Sequence, residues 1–283
     1  MNKAHKTAWF HNKTFIITGG SSGIGLALSK KLAQEGAHVI AISHNPEEFP
    51  EALSQIEPNQ TKIEFVKCDI TIAADRDSLK KKIIDEKIPL TGIINNAGIT
   101  TFGPFFETPV YAIERNLNVN FTGTIMFIRE FFPLILENEE MEIKYLGFMS
   151  STSAKAGMGM IGGYPGTKAG MEMFLRTLDM EDLEGVKILC VRAGPVNTNL
   201  YDNCVTAPNF DIHVLKGQGE RLFLEPEKVA SIFIKAIRRK RSGVYHASFG
   251  SRMLVALTGG KTFGRFITKG LIYMNERVKN KKN

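Results

Sequence analysis

Cysteine is scarce in this chain of 283 residues: Cys68, Cys190 and Cys204 make an odd number, with no two at a metal-ligand spacing. That excludes a disulfide framework and a thiolate metal centre, so no metal site is expected. Cys68 and Cys190 fall in or beside strand-like runs, where a small buried thiol is the reading. Long hydrophobic runs are missing too: no stretch reaches the roughly 18 uninterrupted apolar residues of a membrane span. The N-terminus, MNKAHKTAWFHNK, lacks the apolar core of a signal peptide, and a reducing cytoplasm is the expected setting. No linker rich in Pro, Gly or Ser divides the chain and no repeat recurs, so residues 1–283 read as a single domain.

What is present is a 43% hydrophobic fraction gathered into short apolar runs at 15–18, 38–43, 62–67, 92–95, 144–149 and 187–192, with helical stretches between. Alternating strand and helix implies a parallel sheet with right-handed crossovers and helices on both faces. The fold class is therefore α/β, a doubly wound Rossmann-type sheet. The first run enters Gly19-Gly20-Ser21-Ser22-Gly23-Ile24-Gly25, and a helical pattern follows over 26–34. Strand, glycine-rich turn and helix N-terminus together form a pyrophosphate site, because the helix's free N–H groups face the anion.

A second constellation lies downstream. Tyr164 and Lys168 stand four residues apart in GGYPGTKAG, with Ser151 upstream in FMSSTSA. Residues four apart share one helix face. An unperturbed Tyr, with a pKa of about 10, exchanges protons poorly at neutral pH, and a fixed cation beside it would lower that value. Pro165 places Tyr164 at a helix start, where a missing N–H costs nothing.

Taken in order along the chain, these segments resemble the short-chain dehydrogenase/reductase family. Thr18-Gly19-Gly20-Ser21-Ser22-Gly23-Ile24-Gly25 matches its Thr-Gly-x-x-x-Gly-x-Gly motif, Cys68-Asp69-Ile70-Thr71 its adenine-contacting segment, and Asn95-Asn96-Ala97-Gly98 its Asn-Asn-Ala-Gly motif. Asn120 sits where the family keeps its catalytic Asn, and Ser151 lies thirteen residues before Tyr164. The resemblance, over about 13–243, implies an NAD(P)(H)-dependent oxidoreductase with a tetrad of Asn120, Ser151, Tyr164 and Lys168. By the same resemblance Tyr164 is the acid/base, and Lys168 lowers its pKa and holds the nicotinamide ribose. Ser151 binds the substrate oxygen, with Ser150 as its competitor for that role. Asn120 holds a water that links Lys168 to solvent. Cofactor contacts are expected from Gly19, Ser21, Ser22, Gly23, Ile24, Gly25, Ser43, His44, Asp69, Ile70, Asn96, Ala97 and Gly98, from Tyr164 and Lys168, and from Val196 and Thr198 for the carboxamide. Ala193 stands where the family usually has Pro. A cofactor-binding regulatory protein without turnover, or an epimerase or dehydratase, is the alternative reading.

Members using NAD usually carry an Asp at the end of the second strand; here that position is Ser43, which would not repel a 2′-phosphate. His44 replaces the Arg of many NADP users, and Ser22 is not a Lys or Arg. The missing acid favours NADP(H), and the missing Arg keeps NAD(H) open. An apolar ketone or alcohol, such as a fatty-acyl, steroid-like or sphingoid compound, is expected from Phe102, Phe105 and Phe106. A lid over 199–223, with Tyr201, Val205, Phe210, Val214 and Leu215, points the same way, although these aromatics could simply pack on the sheet.

From residue 216 onward sixteen Lys/Arg face four Asp/Glu, and residues 244–283 read as a basic extension. Arg238-Arg239-Lys240-Arg241 carry part of that charge. Lys261, Arg265 and Lys269 repeat on the helix side opposite Phe263, Phe266, Ile267 and Leu271, with Gly264 and Gly270 weakening the pattern. Such a tail can lie on an anionic membrane, close the substrate cleft or pack in a dimer. No motif accompanies the charge that would read nucleic acid. A homodimer is the expected assembly, and the tail lacks the Val-Asp-Gly-Gly ending of many tetrameric members, which speaks against a tetramer formed by that route.

Overall fold

The structure of the protein, a computed structural model, describes residues 9–57, 62–157, 159–201, 204–208, 210, 223–248 and 250, together with 252–253, 265, 268–270, 272–273 and 276. Its first strand, β1 (Thr14–Thr18), is buried along its whole length. Phe15 and Ile17 enter one core and Ile16 the opposite one, since successive side chains leave a strand on opposite faces. Burial on both faces is why the apolar run is continuous rather than alternating. There follow α1 (Gly23–Gln34), β2 (His38–Ser43), α2 (Phe49–Ser54), β3 (Ile63–Lys67), α3 (Ala73–Asp85) and β4 (Leu90–Asn95). The second half contains β5 (Thr101–Phe102), α4 (Val110–Leu117), α5 (Thr124–Leu136), β6 (Lys144–Ser151), α6 (Tyr164–Met180), β7 (Val186–Ala193), β8 (Val205–Thr206), α7 (Pro226–Arg238) and β9 (Gly243–His246).

The main sheet runs β3-β2-β1-β4-β6-β7-β9, every pairing parallel. Strand order reverses between β1 and β4, and that reversal opens a crevice at their C-terminal ends. β5 and β8 pair separately beside it.

Three boundaries differ from expectation. α1 begins at Gly23, inside the glycine motif, so the motif itself forms the helix's first turn. β6 continues through Ser150 and Ser151, which pair with Arg192 and Ala193 of β7. Residues 244–246, read as the start of the extension, belong to β9, a short and half-exposed edge strand too weakly apolar to stand out.

The stretch Val110–Leu136 is the one helix among the described residues long and apolar enough to cross a membrane by length and composition. Its Phe127, Ile128, Phe131, Phe132 and Ile135 are buried against the sheet, so the apolar composition serves the core. Cys68 and Cys190 are buried, and burial pushes both thiols up to about 12. Part of the basic cluster is structural: Arg238 pairs with Glu35 at 2.5 Å, and Arg239 lies over the Tyr245 ring. Val214, Leu215, Lys261, Phe263, Gly264, Phe266, Ile267 and Leu271 lie outside the described residues. From the C-terminal segment, Thr268 accepts a hydrogen bond from Gly159 N at 2.9 Å, beside the loop that leads into α6.

Candidate active site

The ends of β1 and β4 are locked together by side chains. Thr18 Oγ1 accepts from the backbone N–H groups of Asn96 and Ala97 at 3.0 and 2.9 Å. In return Asn96 Nδ2 donates to the carbonyls of Thr18 and Gly19, both at 3.1 Å. Asn96 therefore faces the glycine loop and holds its shape. Gly25 is required by close approach: a Cβ there would fall 1.9 Å from the Gly19 carbonyl oxygen. α1 has Ser22 at its N-cap, with no side-chain capping bond and no acid in its first turn, which leaves its N-terminal N–H groups open to an anion. Thr198 sits against this loop, its Cγ2 2.9 Å from where a Gly23 Cβ would be.

Asp69 and Ile70 follow β3. Asp69 Oδ1 accepts from Thr71 N–H and Thr71 Oγ1 at 2.8 and 2.7 Å, and Arg76 donates to the Ile70 carbonyl at 2.9 Å. Ser43 is buried at the end of β2, and His44 is exposed just beyond it.

Tyr164, Ser151 and Lys168 come together from the start of α6 and the end of β6. Tyr164 is the first residue of its helix, with Pro165 in the first turn. Its hydroxyl, enclosed while the ring is only half-buried, is hydrogen-bonded to Ser151. Lys168 Nζ lies 5.6 Å from the Tyr164 ring centre and 4.8 Å from that of Phe148, and donates to the Met149 carbonyl at 3.0 Å. Burial lowers the Lys168 ammonium to about 8. The expected lowering of Tyr164 by Lys168 is not found in this arrangement. Burial, with a smaller push from Tyr201, raises the phenol, and only the Ser151 bond opposes them. The physical reason is placement: the ammonium is committed to a carbonyl, beside the ring rather than at the hydroxyl.

Asn120 lies in a π-helical stretch, Asn118–Gly123, between α4 and α5. Its Oδ1 accepts from Ile99 N–H at 2.8 Å, and its Nδ2 donates to the Ile99 carbonyl at 2.8 Å and Thr167 Oγ1 at 3.3 Å. Both amide protons are thus used within the protein. A Cβ on Gly98 would lie 3.2 Å from Asn120 Oδ1 and 3.3 Å from Lys168 Nζ, so the missing side chain keeps the space between them open.

Ser150 faces a different partner from Ser151. Its hydroxyl donates at 2.6 Å to Glu172 Oε1, which also accepts from Arg192 Nε at 2.7 Å; Arg192 meets Glu172 Oε2 at 2.5 Å. Burial works to raise the Glu172 carboxyl, but its bonds to Arg192 and Ser150 outweigh that and hold it below its ordinary value. Glu172 is one helical turn beyond Lys168, so the pattern that finds the lysine also points at this acid; only the fold supplies Arg192.

Tyr201 was read from the sequence only as lid. Its ring stacks on Phe102 and Phe223 at 5.9 and 5.3 Å between centres, and its hydroxyl bonds to the backbone of Val196, where a carboxamide contact was expected. Phe102, Ile161, Ala207 and Phe210 form a small apolar cluster on which Tyr164 and Tyr201 also pack.

The family model described as short chain dehydrogenase matches residues 13–208. An oxidoreductase of Staphylococcus epidermidis is 26% identical over 226 residues, covering 80% of this chain and 90% of the relative. A short chain dehydrogenase/reductase from Burkholderia phymatum in complex with NAD is structurally similar, with TM-score 0.74 and 19% identity over 88% of this chain and 93% of that one. A chain from Shigella flexneri complexed with NADP gives TM-score 0.74 and 20% identity over 86% and 99%. At those identities the structures speak for the fold, a Rossmann-type sheet. With a family model matched over most of its length, the chain belongs to the short chain dehydrogenase family.

Proposed function

We propose that the protein is an NAD(P)(H)-dependent oxidoreductase that interconverts a carbonyl and a secondary alcohol on an apolar substrate. The observation that carries this reading is the meeting of Tyr164, Ser151 and Lys168 at the C-terminal ends of the strands, on the same edge as the glycine loop. The residues present fit a dinucleotide. The first turn of α1 is uncapped and free of acids, and Gly98 leaves a cradle beside Lys168 that a side chain would fill. Ser21 to Gly25 would hold the pyrophosphate, Asp69 and Ile70 the adenine, and Val196 and Thr198 the carboxamide.

When bound, the nicotinamide supplies or takes up the hydride. In the reducing direction, as hydride reaches the carbonyl carbon, Tyr164 gives its hydroxyl proton to the carbonyl oxygen. A phenol raised by burial carries its proton at neutral pH, and as a weaker acid it gives that proton up only as charge builds on the carbonyl oxygen. Ser151, which bonds that phenol before the substrate enters, turns its one proton to the same carbonyl oxygen and fixes its angle. Lys168 adjoins the space at Gly98, and a water there would join it to Asn120 Oδ1 on the way to solvent. Phe102, Phe210 and Tyr201 supply an apolar wall beside Tyr164, which supports a hydrophobic ketone or alcohol.

The test follows nicotinamide absorbance with NADH and NADPH over a panel of apolar and polar ketones. Tyr164→Phe is expected to lower turnover by about 10²–10⁴-fold, the usual worth of a positioned acid, with nucleotide affinity little changed. Full activity in that variant would remove Tyr164 from the chemistry.

A further inference from the structure

The end of β2 carries no acid in sequence, yet the fold brings one there. Asn45 N donates to Ser43 Oγ at 3.2 Å, and the Asn45 side chain caps a single turn, Pro46–Glu48, by accepting from Glu47 N at 3.2 Å. That turn folds back on the strand. Glu48, five residues beyond Ser43, reaches across so that its Oε2 accepts from Ser21 Oγ at 2.5 Å. Ser43 Oγ lies 3.4 Å from the same oxygen, a weak contact that nonetheless places the carboxylate at the strand end. The Gly20 N–H donates to the Ile42 carbonyl at 3.0 Å, so the glycine loop and the end of β2 are one rigid corner. In a dinucleotide fold this corner receives the adenosine ribose, and an acid there accepts from the 2′-hydroxyl.

We propose that Glu48 reads the 2′ position of the nucleotide, accepting from a free 2′-hydroxyl and rejecting a 2′-phosphate, so that the protein prefers NAD(H). This rests on the oxidoreductase reading above. The ground for NADP(H) was the missing acid at Ser43, and Glu48 removes that ground by arriving from the next turn. Its two bonds use Oε2 and leave Oε1 without a partner among the described residues. Nor does any Lys or Arg among the described residues form an ion pair with Glu48 that would offset its charge. The groups bordering it in the turn are Glu47, a second acid, and the exposed His44. A 2′-phosphate entering here would meet carboxylate charge at close range in a partly desolvated corner, with no guanidinium fork to receive it.

Calorimetric titration of the full chain with NADH and NADPH, without substrate, tests the assignment. The wild type is expected to bind NADH at least tenfold more tightly. Glu48→Gln, at a half-buried site that tolerates a neutral isostere, is expected to narrow that ratio by about tenfold, chiefly by gain of NADPH affinity. Equal or tighter NADPH binding by the wild type would overturn the assignment without any variant, as would an unchanged ratio in Glu48→Gln. Either result would leave the oxidoreductase reading standing. Failure of the wild type to bind either nucleotide would remove that reading and this one together.

Discussion

The two halves of the sheet handle buried polarity in opposite ways. At the glycine loop on the β1–β2 side, short neutral side chains bond to backbone: Thr18 and Asn96 clamp the loop, and the carboxylate that reaches it, Glu48, stays at the rim. On the β6–β7 side a full ion pair, Glu172 with Arg192, is sealed within the protein and bonded to Ser150. A loop proposed to receive an anion gains from donors left open and from the absence of fixed charge. A strand end that must hold Ser151 and the Lys168 acceptor Met149 in register gains from a charged anchor on the residue between them. A buried pair is poor stabiliser and good anchor, since desolvation consumes most of its attraction.

Breaking the sealed pair is the largest test of that contrast. Glu172→Gln should destabilise the protein by about 3–5 kcal/mol in urea unfolding, because Arg192 would remain buried without its counter-charge. Replacing both members by Met should recover most of that stability. If turnover stays depressed in the double variant, the pair acts by positioning Ser150 and its neighbours.

A smaller effect comes from Lys168, the other buried charge on this side. Below about pH 8 the native and unfolded ammonium groups are both protonated, and the native state carries the whole cost of burial. Between about 8 and the ordinary 10.5, the unfolded chain binds the extra proton, so stability rises with pH. The rise between pH 8 and 10 should be about 2 kcal/mol and be missing from Lys168→Met, as read by the difference between the two unfolding curves at those pH values. A parallel pair of curves would place the charge in a wetter site than the structure does.

The smallest expected effect lies on the neutral side. Asn96→Ala removes two bonds to the Thr18 and Gly19 carbonyls, and should lower stability by about 1–2 kcal/mol. Nucleotide affinity should fall with it, because the loop loses its shape. A loss as large as that of Glu172→Gln would erase the distinction between the two halves.

The sequence by itself determined the parts whose chemistry is contiguous. A β-branched run, a glycine turn and a helix start sit within twelve residues, Thr14 to Gly25, and Tyr164 and Lys168 share a helix face by spacing alone. Local geometry follows local sequence in such places, because strand and helix periods set where each side chain points. Only the tertiary structure decided which groups meet across the fold. Ser150 and Ser151 are neighbours of one kind, and Glu172 and Arg192, from another helix and another strand, claim the first and leave the second facing Tyr164. The acid missing from the end of β2 arrives from a turn five residues on, and the Tyr201 hydroxyl reaches Val196 through a stack on Phe102 and Phe223. Contacts of that kind depend on backbone paths that no local pattern encodes, so they become visible only once the sheet is assembled.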